Sequence, residues 1–178
     1  DTSRLRYLLA KHTLIDPRNI HTYGVGEHGD SELPLWSLTR IAGMRLDPYC
    51  ESCGGCGGNL SQIARDAFDD QVRNVAYTII EKKGATYYAV ALAVRRIVEA
   101  ILRDERSILT VSSLLTGQYG LEGVCLSLPC IVGAQGVDRV LPVALDAEET
   151  RLLRRSAEII AKIISECEEN NLRAPALV

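Results

Sequence analysis

The chain contains one methionine, Met44, and only three histidines, His12, His21 and His28. So few imidazoles, none at helical spacing with another, exclude a metal site built from histidines. There is no excess of basic charge: the net charge is −3 and no basic stripe with interleaved aromatics is present, which argues against a nucleic-acid partner. No apolar run approaches the roughly 18 residues that span a membrane. No secretory signal opens the chain, so the expected location is cytoplasmic. Neither a Gly-x-Gly-x-x-Gly after a strand nor a phosphate-binding loop is expected, which argues against a nucleotide site of the standard kind within these residues. The chain opens Asp1-Thr2-Ser3 without an initiator methionine, as a processed chain or the later part of a longer polypeptide would.

With 178 residues and 47% hydrophobic content the chain has the size and composition of one soluble globular domain. Residues 4–12 read as a helix with Leu5, Leu8 and Leu9 on one side, behind N-cap candidates at residues 1–3. Residues 20–25 are strand-like. Residues 60–83 have helical spacing and end in Lys82-Lys83-Gly84, a basic last turn and a stop. A second helix over 85–103 is so apolar in its first half that burial on most sides is expected. Strand-like runs at 107–115, 123–133 and 137–143 are joined by short turns and predict an antiparallel meander. Asp146 is placed to cap a final helix reaching about residue 170, and residues 173–178 to fray. The expected fold class is α+β, with long helices packed on a small antiparallel sheet.

The most informative segment is Gly26-Glu27-His28-Gly29-Asp30-Ser31. Glycines allow a tight turn and a close approach by another molecule. The imidazole between them can give or take a proton near neutral pH. Taken alone, such a histidine is more often an idle loop residue than an acid–base group, so the rest of the sequence has to decide. Glu27 and Asp30 read as shapers of the turn.

Three motifs occur in order: Asp1-Thr2-Ser3-Arg4-Leu5-Arg6-Tyr7, residues 26–37 (GEHGDSELPLWS) and residues 80–88 (IEKKGATYY). Together with residues 108–112 and the final helix they resemble the C-terminal, substrate-binding domain of bacterial L-lactate dehydrogenases, within the lactate/malate dehydrogenase family. The resemblance covers essentially the whole chain, residues 1–178, as one domain. It implies reversible hydride transfer between NADH and pyruvate, giving L-lactate. His28 then matches the proton donor and acceptor, and Asp1 its carboxylate partner. Arg4 matches the clamp on the substrate carboxylate, and Thr86 a pocket wall near the substrate methyl. Arg6 and His21 match positions that bind fructose 1,6-bisphosphate across a subunit interface in homotetramers. The resemblance also implies that the NAD-binding domain is absent from this chain and would precede Asp1, so that the isolated fragment is expected to be inactive.

Two rival readings stay open. Malate or other 2-hydroxy-acid dehydrogenases share the histidine, aspartate and arginine, although Trp36 and Gly84-Ala85-Thr86 favour lactate. A non-catalytic module for oligomerisation or sugar-phosphate binding is the other.

The six cysteines do not form a disulfide scaffold pattern. Cys125 and Cys130 sit in apolar strand-like sequence and are expected to be buried. Cys50, Cys53 and Cys56 have a spacing that lets thiolates converge on zinc or an iron–sulfur cluster, but a closed site needs a fourth ligand and none lies near in sequence. The expectation is therefore no metal. Elemental analysis of anaerobically prepared protein should find zinc and iron at background; a stoichiometric amount of either would reverse that reading.

Overall fold

The computed structural model describes residues 1–53, 60 and 62–173. Helix α1 spans Thr2–Thr13, followed by β1 (Ile20–His21), β2 (Gly24–Val25), β3 (Leu33–Pro34), β4 (Arg40–Ile41) and β5 (Met44–Arg45). Helices α2 (Leu46–Ser52), α3 (Gln62–Lys83) and α4 (Tyr88–Leu102) come next. Strands β6 (Ser107–Thr116), β7 (Glu122–Gly133) and β8 (Gly136–Val140) lead into α5 (Ala147–Arg173). The order β6-β7-β8 is the antiparallel meander that the short connections predict. The α+β class is as expected.

Three buried apolar clusters form among the described residues: Ala100, Cys130 and Val132 seat α4 on the meander, and two larger ones hold the rest. One joins α1 to β1, β4, α2 and α3 through Leu5, Leu9, Ile20, Ile41, Leu46 and Val72. The other joins β2 and β3 to the meander and α5 through Val25, Leu33, Leu126, Leu128 and Leu153. Alternation along β7 sends Val124, Leu126 and Leu128 inward. Helix α5 starts on a reciprocal cap. The Glu149 amide donates to Asp146 Oδ1 at 2.8 Å, and the Asp146 amide donates to Glu149 Oε2 at 3.0 Å. The buried Glu149 carboxylate also accepts from the Ser37 amide (3.0 Å) and hydroxyl (2.6 Å), tying the Trp36 turn to α5.

Several expectations are corrected. The apolar helix α4 is not buried on most sides. It packs on β7, and Ala100 is its buried residue, while Tyr88, Leu92 and Leu102 are 78%, 63% and 80% exposed. Its hydrophobicity exceeds what one packing surface uses, and the excess faces outward. Cys125 is exposed, because the same alternation that buries Val124 and Leu126 turns it out; Cys130 is buried as expected. The segment from residue 47, read as loop, begins as helix α2, which buries Leu46 and Cys50. The strand-like run 20–25 is two separate pieces in two different sheets. Cys56 and residues 174–178 lie outside the described residues.

Leu126, at 0% exposure on the central strand, supports the second core. Leu126→Ala is expected to cost about 3 kcal/mol, read as a lower urea midpoint at unchanged slope.

Candidate active site

The turn carrying His28 is fixed from three directions. Its entry is hydrogen-bonded to the central strand: the Gly26 amide donates to Ser127 O at 2.9 Å, and the Ser127 amide returns to Gly26 O at 2.8 Å. Helix α5 reaches the next peptide, the Glu27 amide donating to Ser156 Oγ at 2.6 Å. Ser31 hydrogen-bonds both the Glu27 carboxylate and Ser156 Oγ, the latter at 3.0 Å. Glu27 therefore shapes the turn as expected, and Asp30 accepts from the Tyr77 hydroxyl at 3.4 Å. Ser127 and Ser156 leave no sequence signal for this role, since each stands roughly a hundred residues or more from the turn.

Contrary to expectation, residues 24–29 do spell Gly-x-Gly-x-x-Gly at a strand, but the chain passes from β2 into the turn and then β3, so no helix N-terminus is presented to a phosphate. The glycines serve other ends. A Cβ at Gly26 would lie 2.8 Å from Ser156 Oγ and 3.1 Å from a Leu33 methyl, and its φ of +92° disfavours any side chain. At Gly29 a Cβ would lie 2.6 Å from Glu27 Oε1, and at Gly24 2.6 Å from Glu32 Oε1.

This scaffold brings His28 to Asp1. The distance from Nδ1 to Asp1 Oδ2 is 2.6 Å, with the imidazole 79% exposed and the carboxylate 31%. Asp1 stands at the head of α1, where the Thr2 hydroxyl accepts from the Gly24 amide at 3.0 Å and so locks helix to strand. With Nδ1 engaged by a carboxylate, Nε2 is the nitrogen left to meet a second molecule.

The other anticipated residues fall in different places. Arg4 lies one helical turn from Asp1, half-buried, with no hydrogen-bond or ion-pair partner among the described residues. Thr86 is exposed in the turn between α3 and α4 and is not joined to the pair by any hydrogen bond. Arg6, also on α1, is half-buried with its Nε buried and unpartnered. His21 is exposed on β1, a strand against which α1 packs. Of the spaced cysteines, Cys50 is buried in α2 and Cys53 follows it, its Sγ 3.6 Å from Cys50 O.

One residue at the site was not anticipated. Glu32 is 4% exposed, its Oε1 has no hydrogen-bond partner, and its carboxyl lies with Asp1 and His28 in a group whose nearest atoms are within 4.8 Å of one another. Burial is the main cause that pushes its pKa up to about 7, against the pull of the Asp1 amino group and then of Arg73. Burial likewise raises Asp69 to about 6, while Arg73 and the Trp36 indole (3.0 Å) oppose the rise. A glutamate two residues before a proline gives no hint of burial in the sequence.

The lactate/malate dehydrogenase alpha/beta C-terminal domain matches residues 1–171, and the chain belongs to that family. More particularly, it is 60% identical over 167 residues to an L-lactate dehydrogenase of Thermoanaerobacter sp. (strain X514), covering 93% of this chain and 52% of that protein. It is 57% identical over 164 residues to one of Acetivibrio thermocellus, with coverages of 92% and 51%. Among solved structures it resembles the L-lactate dehydrogenase of Clostridium thermocellum (TM-score 0.81, 40% identity, 93% and 52% covered). It also resembles a minor L-lactate dehydrogenase of Enterococcus mundtii (TM-score 0.86, 34% identity, 93% and 51% covered). The chain spans about half the length of these relatives.

A carboxyl whose pKa is higher folded than unfolded binds more protons in the folded state, here between pH 4.5 and about 7. Its contribution to stability therefore falls as pH rises through that window. The Glu32→Gln variant should match wild type near pH 4.5 and exceed it by on the order of 2 kcal/mol at pH 8, measured by urea denaturation at both values.

Proposed function

We propose that this chain is the substrate-binding, proton-transferring half of an L-lactate dehydrogenase that interconverts pyruvate and L-lactate. The observation that carries the reading is the His28–Asp1 pair, held on a turn fixed at both ends and lying one helical turn from an unpartnered Arg4. Reduction of a 2-keto acid needs a proton at the carbonyl oxygen and a cation at the carboxylate. Imidazolium His28 delivers the proton from Nε2 and polarises the carbonyl beforehand. Asp1 holds the ring by Nδ1 and fixes its orientation. Arg4 supplies paired donors to the substrate carboxylate. Thr86 bounds the methyl side of the pocket, reached when the α3–α4 turn meets the rest of the enzyme.

The described residues offer NAD no phosphate-cradling loop. The nucleotide is assigned to the remaining half of the length seen in the relatives. That half precedes Asp1 in the complete enzyme, which we take to be a cytoplasmic homotetramer. Arg6, half-buried on α1, and His21, exposed on the β1 strand against which α1 packs, are taken as an anion site for which fructose 1,6-bisphosphate is the proposed activator.

Residues 1–178 alone should form no lactate from pyruvate and NADH. Joined behind the remaining half of the Thermoanaerobacter relative, they should oxidise NADH with pyruvate and much more slowly with oxaloacetate. In that chimera His28→Asn should lower kcat by roughly 10²–10⁴-fold. A folded, NADH-binding chimera that ignores pyruvate, or a His28→Asn variant with full turnover, would sink the reading.

A further inference from the structure

We propose that Glu32 is a positioning residue for His28, a third carboxyl that keeps a proton behind the His28–Asp1 pair and tunes how tightly the imidazole holds its own. The inference rests on the acid–base reading of His28 given above, and its support is geometric.

Glu32 is fixed through its backbone. Its amide donates to Gly29 O at 3.2 Å, and its carbonyl accepts from Arg73 Nε at 3.1 Å. The side chain is thereby directed into the space beside Gly24. That glycine lacks a positive φ, so it is not there for its torsion angles. What it provides is room, since a Cβ would lie 2.6 Å from Glu32 Oε1 and 3.4 Å from Asp1 Cβ. The Glu32 carboxyl thus occupies the gap between β2 and the head of α1.

No donor among the described residues meets it there. Oε1 is buried and unpartnered. The guanidinium that acts on it, Arg73, spends Nε on the Glu32 carbonyl and has Nη1 at 3.6 Å from Asp70. The charged and titratable groups facing Glu32 are Asp1 and its amino group on α1, His28 in the turn, and Asp69 and Arg73 on α3. A buried carboxyl with no donor and another carboxylate within 4.8 Å keeps its proton, leaving the charge to the better solvated Asp1.

The consequence for His28 has a definite sign. While Glu32 is protonated, the imidazolium faces one anion. When Glu32 ionises it faces two, and its proton is held to higher pH. Even at a water-like dielectric, one unit charge within 4.8 Å changes a neighbour's pKa by about half a unit. The site therefore retains its acid form on the alkaline side, where a lone His–Asp pair would lose it.

The test needs no turnover. In residues 1–178 labelled at the histidine ring, the ¹³Cε1 titration of His28 is followed in wild type and in Glu32→Gln, which keeps the shape of the protonated acid. The variant midpoint should lie about half a pH unit lower, with a single-step curve in place of a broadened one. Coincident midpoints would overturn the proposal, because a purely space-filling Glu32 leaves the ring unaffected. The wild-type Glu32 ¹³Cδ resonance gives a second reading without any variant. It should move near pH 7 together with His28; titration below pH 5 would also overturn the proposal. If the titrations are coupled but the chimera fails to reduce pyruvate, the catalytic reading falls and the coupling stands.

Discussion

The structure depends on a pair of backbone hydrogen bonds between Gly26 and Ser127. They join the first half of the chain, whose strands are two residues long, to the central strand of the meander. Strands that short carry little stability of their own. Fastened to β7, and bonded by Ser156 from α5, the turn takes on the rigidity of the larger sheet. An acid–base group placed on a loop gains precision when rigid elements hold both of its ends, and the single imidazole of this turn is so held.

The long-range elements were legible where periodicity is strong. Four helices, the meander and the Asp146 cap follow from spacing and end signals, because each is decided by residues close in sequence. The His28–Asp1 pair was legible through a resemblance rather than through spacing, since 27 residues separate its members. Ser127, Ser156 and Glu32 were not legible. Serines and a glutamate carry no local mark of burial, and their roles arise only when β2 meets β7, α5 and the head of α1.

Helix α4 shows where a sound local inference meets a global condition. Its composition calls for burial on most sides, yet only the face toward the meander is covered. Apolar periodicity reports how much surface a helix is suited to bury and says nothing of which neighbour buries it. Cys125 errs the opposite way: an apolar run suggested burial, and strict two-residue alternation turned it outward.

Gly24 and Gly26 look alike in the sequence and differ in what could replace them. At Gly26 the torsion angle itself resists a side chain, so no change elsewhere can compensate. At Gly24 the obstacle is only the carboxyl of Glu32. A shorter acid at position 32 would free that space, so the two positions should vary together, alanine at one with aspartate at the other. Through that linkage the fine placement of the buried acid is open to adjustment by paired substitution, while the fold around it stays unchanged.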